Sequence, residues 1–198
     1  MKLQPISAPV LARARLWPGR PGVSVSEDSE PGPAPDILSD RGYVSIGASD
    51  VATLLGADAV AAWPGFADSW NDLGADVYMA DGGRYRRRRH GVFTLEGGTL
   101  TRMPQQPHYQ SRDYNRLNGD IERWFEPVHD EIANGVVVAR LVDLADRLML
   151  SGDGPTRWKM EMHQFRIAAH PDMLGLPTPE GMHRDGVDWV MIVMVDRV

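Results

Sequence analysis

Between Pro18 and Asp36 the chain reads PGRPGVSVSEDSEPGPAPD, a stretch with five prolines and three glycines. Proline removes a backbone donor and glycine adds chain entropy, and the side chains between them are mostly Ser, Glu and Asp, so nothing there can be buried as a core. Residues 1–40 therefore read as an unstructured leader and Pro/Gly-rich linker, with Pro5 to Trp17 a floppy extension. The foldable part is residues 41–198, the size of one ordinary domain.

Composition narrows the class. With 42% hydrophobic and 24% charged residues the chain is globular rather than disordered or fibrous. The longest apolar run, Trp189 to Val195, is seven residues, far below the roughly 20 that cross a bilayer. Gln4, Pro5 and Ser7 break any signal-like apolar stretch, so a cytoplasmic protein without a membrane partner is expected. Without cysteine there is no disulfide, thiolate nucleophile, Cys-bound zinc or iron–sulfur cluster, and a metal has to be held by His, Asp and Glu. The net charge of −6 argues against a nucleic-acid partner. Only Lys2 and Lys159 are lysines among 21 basic residues, a skew that suggests a GC-rich bacterial genome.

The pattern of elements predicts a mainly β protein with flanking helices (α+β). Gly42 to Gly47 alternates as a strand, and Ser49-Asp50 offers an N-cap to a helix that Pro64 should end. Trp63, Phe66 and Trp70 follow at helical spacing, and Asp81-Gly82-Gly83 reads as a tight turn. The strongest helix is expected over Pro127 to Leu150, with Gly135 its weak point. Trp158 to Ala168 and Val187 to Val195 are strand-like and are joined by a Pro/Gly-rich loop.

Three clusters carry chemistry. In Arg86-Arg87-Arg88-Arg89-His90, an extended backbone sends Arg86 and Arg88 to one face and Arg87 and Arg89 to the other, so one pair can hold carboxylates while the other is solvated. His-x-Asp in an extended segment puts an imidazole and a carboxylate on one side, able to share a metal. It occurs at His170-Pro171-Asp172, which reads as turn chemistry, and at His183-Arg184-Asp185, between Gly181 and Gly186 at the start of the last strand. His129-Asp130-Glu131 lies inside the expected helix, where i and i+2 do not face each other, and His163 reads as a packed strand histidine.

The segment PTPEGMHRDGVDWV, Pro177 to Val190, resembles the signature of the bacterial 2-oxoglutarate–Fe(II) dioxygenases that include free L-isoleucine and related amino-acid hydroxylases. YMADGGRYRRRRHGVF (Tyr78 to Phe93), PHYQSRDYNRLNGDIERWFEP (Pro107 to Pro127) and MHQFRIAA (Met162 to Ala169) resemble further blocks of that family in the same order. The resemblance covers Tyr43 to Val198. It implies a double-stranded β-helix, the cupin-like jelly roll, with helices outside one sheet. It also implies Fe(II) in a two-His, one-carboxylate triad with 2-oxoglutarate as co-substrate.

By that resemblance His183 and Asp185 are metal ligands and carry catalysis. Gln164, Arg166 and Thr178 are the candidates for 2-oxoglutarate, and Arg86, Arg88 and Tyr109 for the substrate, a small aliphatic molecule such as a free L-amino acid. The family's second histidine ligand follows His-x-Asp by some tens of residues and is itself followed by an arginine for 2-oxoglutarate. Here no histidine follows His183 before Val198, so the chain reads as a jelly roll incomplete at its C-terminus. The alternative is a truncated, non-catalytic relative serving as a binding or dimerising scaffold. A homodimer is compatible with either.

Overall fold

The computed structural model describes residues 10–14, 38, 41–79, 82, 84–114, 119–150, 157–172, 174–177, 179 and 185–197. Helices and antiparallel sheets are mixed, an α+β arrangement, in two compact units. The first comprises Met1–Val60, Arg140–Gly154 and Val187–Val198, the second Ala61–Ala139 and Pro155–Gly186.

The first unit holds a three-stranded antiparallel sheet whose middle strand is β1, Val10–Ala14, flanked by β2, Tyr43–Ile46, and β6, Trp189–Val193. Val10 stands opposite Ile46 on one side and Val193 on the other. An unstructured leader is expected here, and at Val10–Ala14 the structure differs. The segment VLARA contains no proline or glycine, so every N–H is free to join a ladder, whereas the Pro/Gly linker that follows lies outside the described residues. β2 alternates as expected, with Val44 and Ile46 buried and Tyr43 and Ser45 exposed.

Helix α1, Ala48–Leu55, buries Val51 and Leu55 and ends at Gly56, whose φ of 85° suits only glycine. Helix α2, Ala57–Asp68, runs through Pro64, where the sequence predicts a stop. Phe66, just past the proline, packs its ring 5.4 Å from Trp63 and 5.0 Å from Trp70, and this aromatic cluster repays the lost hydrogen bond. In place of one long helix over 127–150 there are a turn of helix at α3, Asp130–Ala133, then α4, Val136–Ala145, and a π-helical turn over Asp146–Leu150. The break is Gly135: a Cβ there would lie 2.9 Å from the Glu131 carbonyl oxygen. No described helix is long and apolar enough to cross a membrane.

The second unit is built on β3, Arg86–Glu96, the middle strand of an antiparallel sheet with β4, Thr99–Arg102, and β5, Arg157–Ile167. β3 and β5 pair over their whole lengths, from Arg86 opposite Ile167 to Glu96 opposite Arg157. Gly97 and Gly98, both at positive φ, make the turn into β4. One face packs Phe93 with Val128 and Ala133, and Leu100, Ile132, Met160 and Met162 close around them.

Candidate metal centre

The β3–β5 register decides the site. His90 and His163 stand directly opposite each other, and their rings stack 4.7 Å apart, tilted by 25°. Glu161, two residues before His163 in an extended strand, faces the same side. His108 arrives from a loop pinned to the neighbouring segment by paired backbone bonds with Arg123, at 2.9 and 3.1 Å. One ligand atom from each of His90, His108, Glu161 and His163 can be chosen so that all four lie within 4.8 Å of one another.

Glu161 Oε2 is the hub. It lies 3.0 Å from His108 Nδ1, 3.4 Å from His90 Nε2 and 3.7 Å from His163 Nε2, while Lys159 Nζ donates to Oε1 at 2.8 Å. Burial alone raises the Glu161 pKa, but the hydrogen bonds from His108, His163, His90 and Lys159 outweigh it and hold the carboxyl far below its ordinary range. Burial pushes His108 and His163 down, with Arg88 adding to the effect and the Glu161 hydrogen bond opposing it. Glu161 is therefore held as an ionised carboxylate, and His108 and His163 as neutral imidazoles.

Those donors fit a divalent transition metal in type: imidazoles and one carboxylate suit Fe(II). Ligands about 2.1 Å from a metal stand about 3.0 to 3.4 Å apart at octahedral or tetrahedral corners, and the His108 and His90 distances to Glu161 match that spacing. His163 fits less well. Arg88 Nη2 lies 2.7 Å from its Nδ1. A guanidinium can only donate, so Nδ1 accepts and the neutral ring carries its proton on Nε2, the atom facing Glu161. His90, His108 and Glu161 thus make a two-His, one-carboxylate set, and His163 links it to Arg88.

Arg86 and Arg88 both face inward, as the alternation predicts, and Arg87 is exposed. Arg89 departs from the expectation. It is buried because it donates to the Asp72 and Pro127 carbonyls and reaches the carboxylates of Asp72 and Glu126 at 3.1 and 3.0 Å. Arg86 Nε meets Asp76 Oδ2 at 2.7 Å, both side chains buried. Tyr109 is exposed and its hydroxyl donates to Asp120.

Gln164 and Arg166 lie on the other face of β5. Gln164 is fully buried and donates to Ser69 Oγ, and the exposed Arg166 donates to Asn71. Asp185 is exposed and accepts from Gln110 Nε2 at 3.4 Å, two residues along the chain from His108. His183 and Thr178 lie outside the described residues. Sequence reasoning missed His90, His108 and Glu161 as donors. Glu161-Met162-His163 has the same i, i+2 geometry as His-x-Asp and was visible; its pairing with His90 depends on strand register, which no local pattern shows.

A family model described as 2OG-Fe dioxygenase matches residues 67–198, which contain both the His/Glu cluster and the His183–Asp185 segment. Among solved structures the chain is similar to a bsmA homolog from Methylobium petroleophilum PM1, with 37% identity over 70% of this chain and a TM-score of 0.55. The matched region is 56% of that protein's chain, so this chain spans little more than half of it. No curated protein sequence matches. With two thirds of its length matched to one family model, a region that includes a His/Glu cluster of a kind that could hold a metal ion, this chain belongs to the 2OG-Fe dioxygenases.

Proposed function

We propose that this chain is an Fe(II)- and 2-oxoglutarate-dependent dioxygenase that hydroxylates a small aliphatic substrate, a free L-amino acid, in the cytoplasm. The observation that carries the reading is the family match over 67–198, a region in which His and carboxylate donors converge. Residues 41–198 are read as the catalytic domain, a jelly roll; the family match over 67–198 supports this.

His183 and Asp185 are assigned as the metal pair from the His-x-Asp resemblance. Iron held there would supply the oxidative decarboxylation of 2-oxoglutarate by O2 to succinate and CO2, one oxygen atom going to succinate and the other to the hydroxylated aliphatic carbon. The chain's own residues bind and orient. Arg86, Arg88 and Tyr109 are assigned to the substrate, and Gln164, Arg166 and Thr178 to the co-substrate. Arg166 lines a cavity of about 390 Å³ together with Arg84, Arg87 and His170, and among the described residues no acidic side chain lines it, which suits a dicarboxylate.

Geometry favours a second donor set for the metal, His90, His108 and Glu161. Anaerobic titration with Mn(II) separates the two. His183→Ala and Asp185→Ala lower affinity at least about tenfold on the first assignment, and His108→Ala and Glu161→Gln do so on the second. The function is tested by succinate release with Fe(II), 2-oxoglutarate and a panel of aliphatic L-amino acids. Metal binding without any succinate would select the non-catalytic scaffold.

A further inference from the structure

Arg88 is a guanidinium that the fold buries without giving it a carboxylate of its own. Its side chain is 3% exposed, yet the nearest acidic oxygen, Asp76 Oδ2, stands 3.8 Å from Nη1 and is already engaged by Arg86 at 2.7 Å. Nη2 is spent on the neutral His163 imidazole, and Nε meets no acceptor among the described residues. The other inward arginines differ. Arg86 has Asp76, and Arg89 has two carbonyls and two carboxylates.

The surroundings are shaped as well as charged. The Phe125 ring centroid lies 3.9 Å from Arg88 Cζ and that of Phe165 lies 4.5 Å away, so aromatic surface takes the flat side of the guanidinium and the Nε–H is left for a partner in its plane. Phe165 is 42% exposed, which places one wall of this slot at the surface. A buried cation in such surroundings is stabilised by any anion that reaches its edge.

We propose that Arg88 is the anchor of a built carboxylate-recognition site, with Phe125 and Phe165 shaping the slot and His163 acting as a positioning residue that holds Nη2. The carboxylate is that of the amino-acid substrate or of 2-oxoglutarate. The choice of these two ligands rests on the dioxygenase reading, whereas the anion site itself does not.

Calorimetric titration of the full chain, with Mn(II) in place of iron, tests this. The probes are aliphatic L-amino acids, their carboxamides and 2-oxoglutarate. The expected result is binding of at least one carboxylate, binding of the matching amide at least about tenfold weaker, and a loss of about 10- to 100-fold in Arg88→Gln with partial recovery in Arg88→Lys. Whether the amino-acid or the 2-oxoglutarate arm responds identifies the source. Phe165→Ala keeps the buried charge while opening the slot, and it is expected to weaken the same carboxylate several-fold without affecting the amide. The proposal is overturned if the parent chain binds no carboxylate, if folded Arg88→Gln binds as the parent does, or, should that variant not fold, if Phe165→Ala leaves affinity unchanged. Failure of the dioxygenase reading looks different: carboxylate binding persists and no succinate forms.

Discussion

Asp76 is the residue on which the basic stretch depends. Its carboxylate is fully buried, takes Arg86 at 2.7 Å, stands 3.8 Å from Arg88 and accepts the Tyr78 backbone N–H at 3.0 Å. Removing one partner of a buried ion pair strands the other charge, which costs about 3–5 kcal/mol. Asp76→Ala is therefore expected to lower the urea-unfolding free energy by about that amount, and Asp76→Asn by less because it can still accept from Tyr78. A loss below about 1 kcal/mol in Asp76→Ala would show that the two guanidiniums are solvated. The alternation of the arginines was legible from the sequence. Asp76, ten residues upstream of Arg86, was not, since nothing local links a loop aspartate to that strand face.

Among the elements, β3 bears the most. Gly91 sits at its middle opposite Met162, and a Cβ there would come within 3.0 Å of Cε2 and 3.2 Å of Cζ in the Phe93 ring. Phe93 is 1% exposed and packed on Val128, so the ring has no room to yield. Gly91→Ala is expected to destabilise the fold by about 1–3 kcal/mol, read by chemical denaturation, even though alanine suits a strand better than glycine. A gain in stability would mean that the ring can move. β5 and β6 were readable within two residues at most ends, because their apolar and polar residues carry strand signals on their own. The long helix was readable only in part, since Gly135 and the π-turn depend on close backbone approaches. The continuation through Pro64 depends on ring packing. Likewise Asp185 was singled out by a motif, while His90 and His108 became site residues only through register and loop placement.

For the molecule as a whole, the shifted groups predict acid sensitivity. His108 and His163 have lowered pKa values in the fold, so below about pH 6.5 the unfolded chain takes up protons that the folded chain resists. Stability therefore falls as pH drops through that value. Glu161, also lowered, adds a loss of the same sign once pH falls below about 4.5, where the unfolded carboxyl protonates. Urea midpoints of the metal-free chain are expected to be level from pH 8 to 7 and to decline steadily toward pH 5, with His163→Gln flattening part of the decline. A midpoint that rises toward pH 5 would contradict the neutral-imidazole description.

The backbone of β3 is held on both edges near the site. Arg88 N–H donates to Gly74 O and His90 N–H to Glu126 O, while β5 runs along the other side. His108, by contrast, sits on a loop joined to the neighbouring segment by its pair of bonds with Arg123 and by the Asp120 N–H bond to Gln110 O. Segments tied by few bonds open at a fraction of the global unfolding energy. His90, Glu161 and His163 thus stand on paired strands, whereas His108 stands on a loop outside the sheet. If the centre takes a metal, its exchange rate is therefore expected to follow the stability of the loop more than that of the two strands, which hold the other donors.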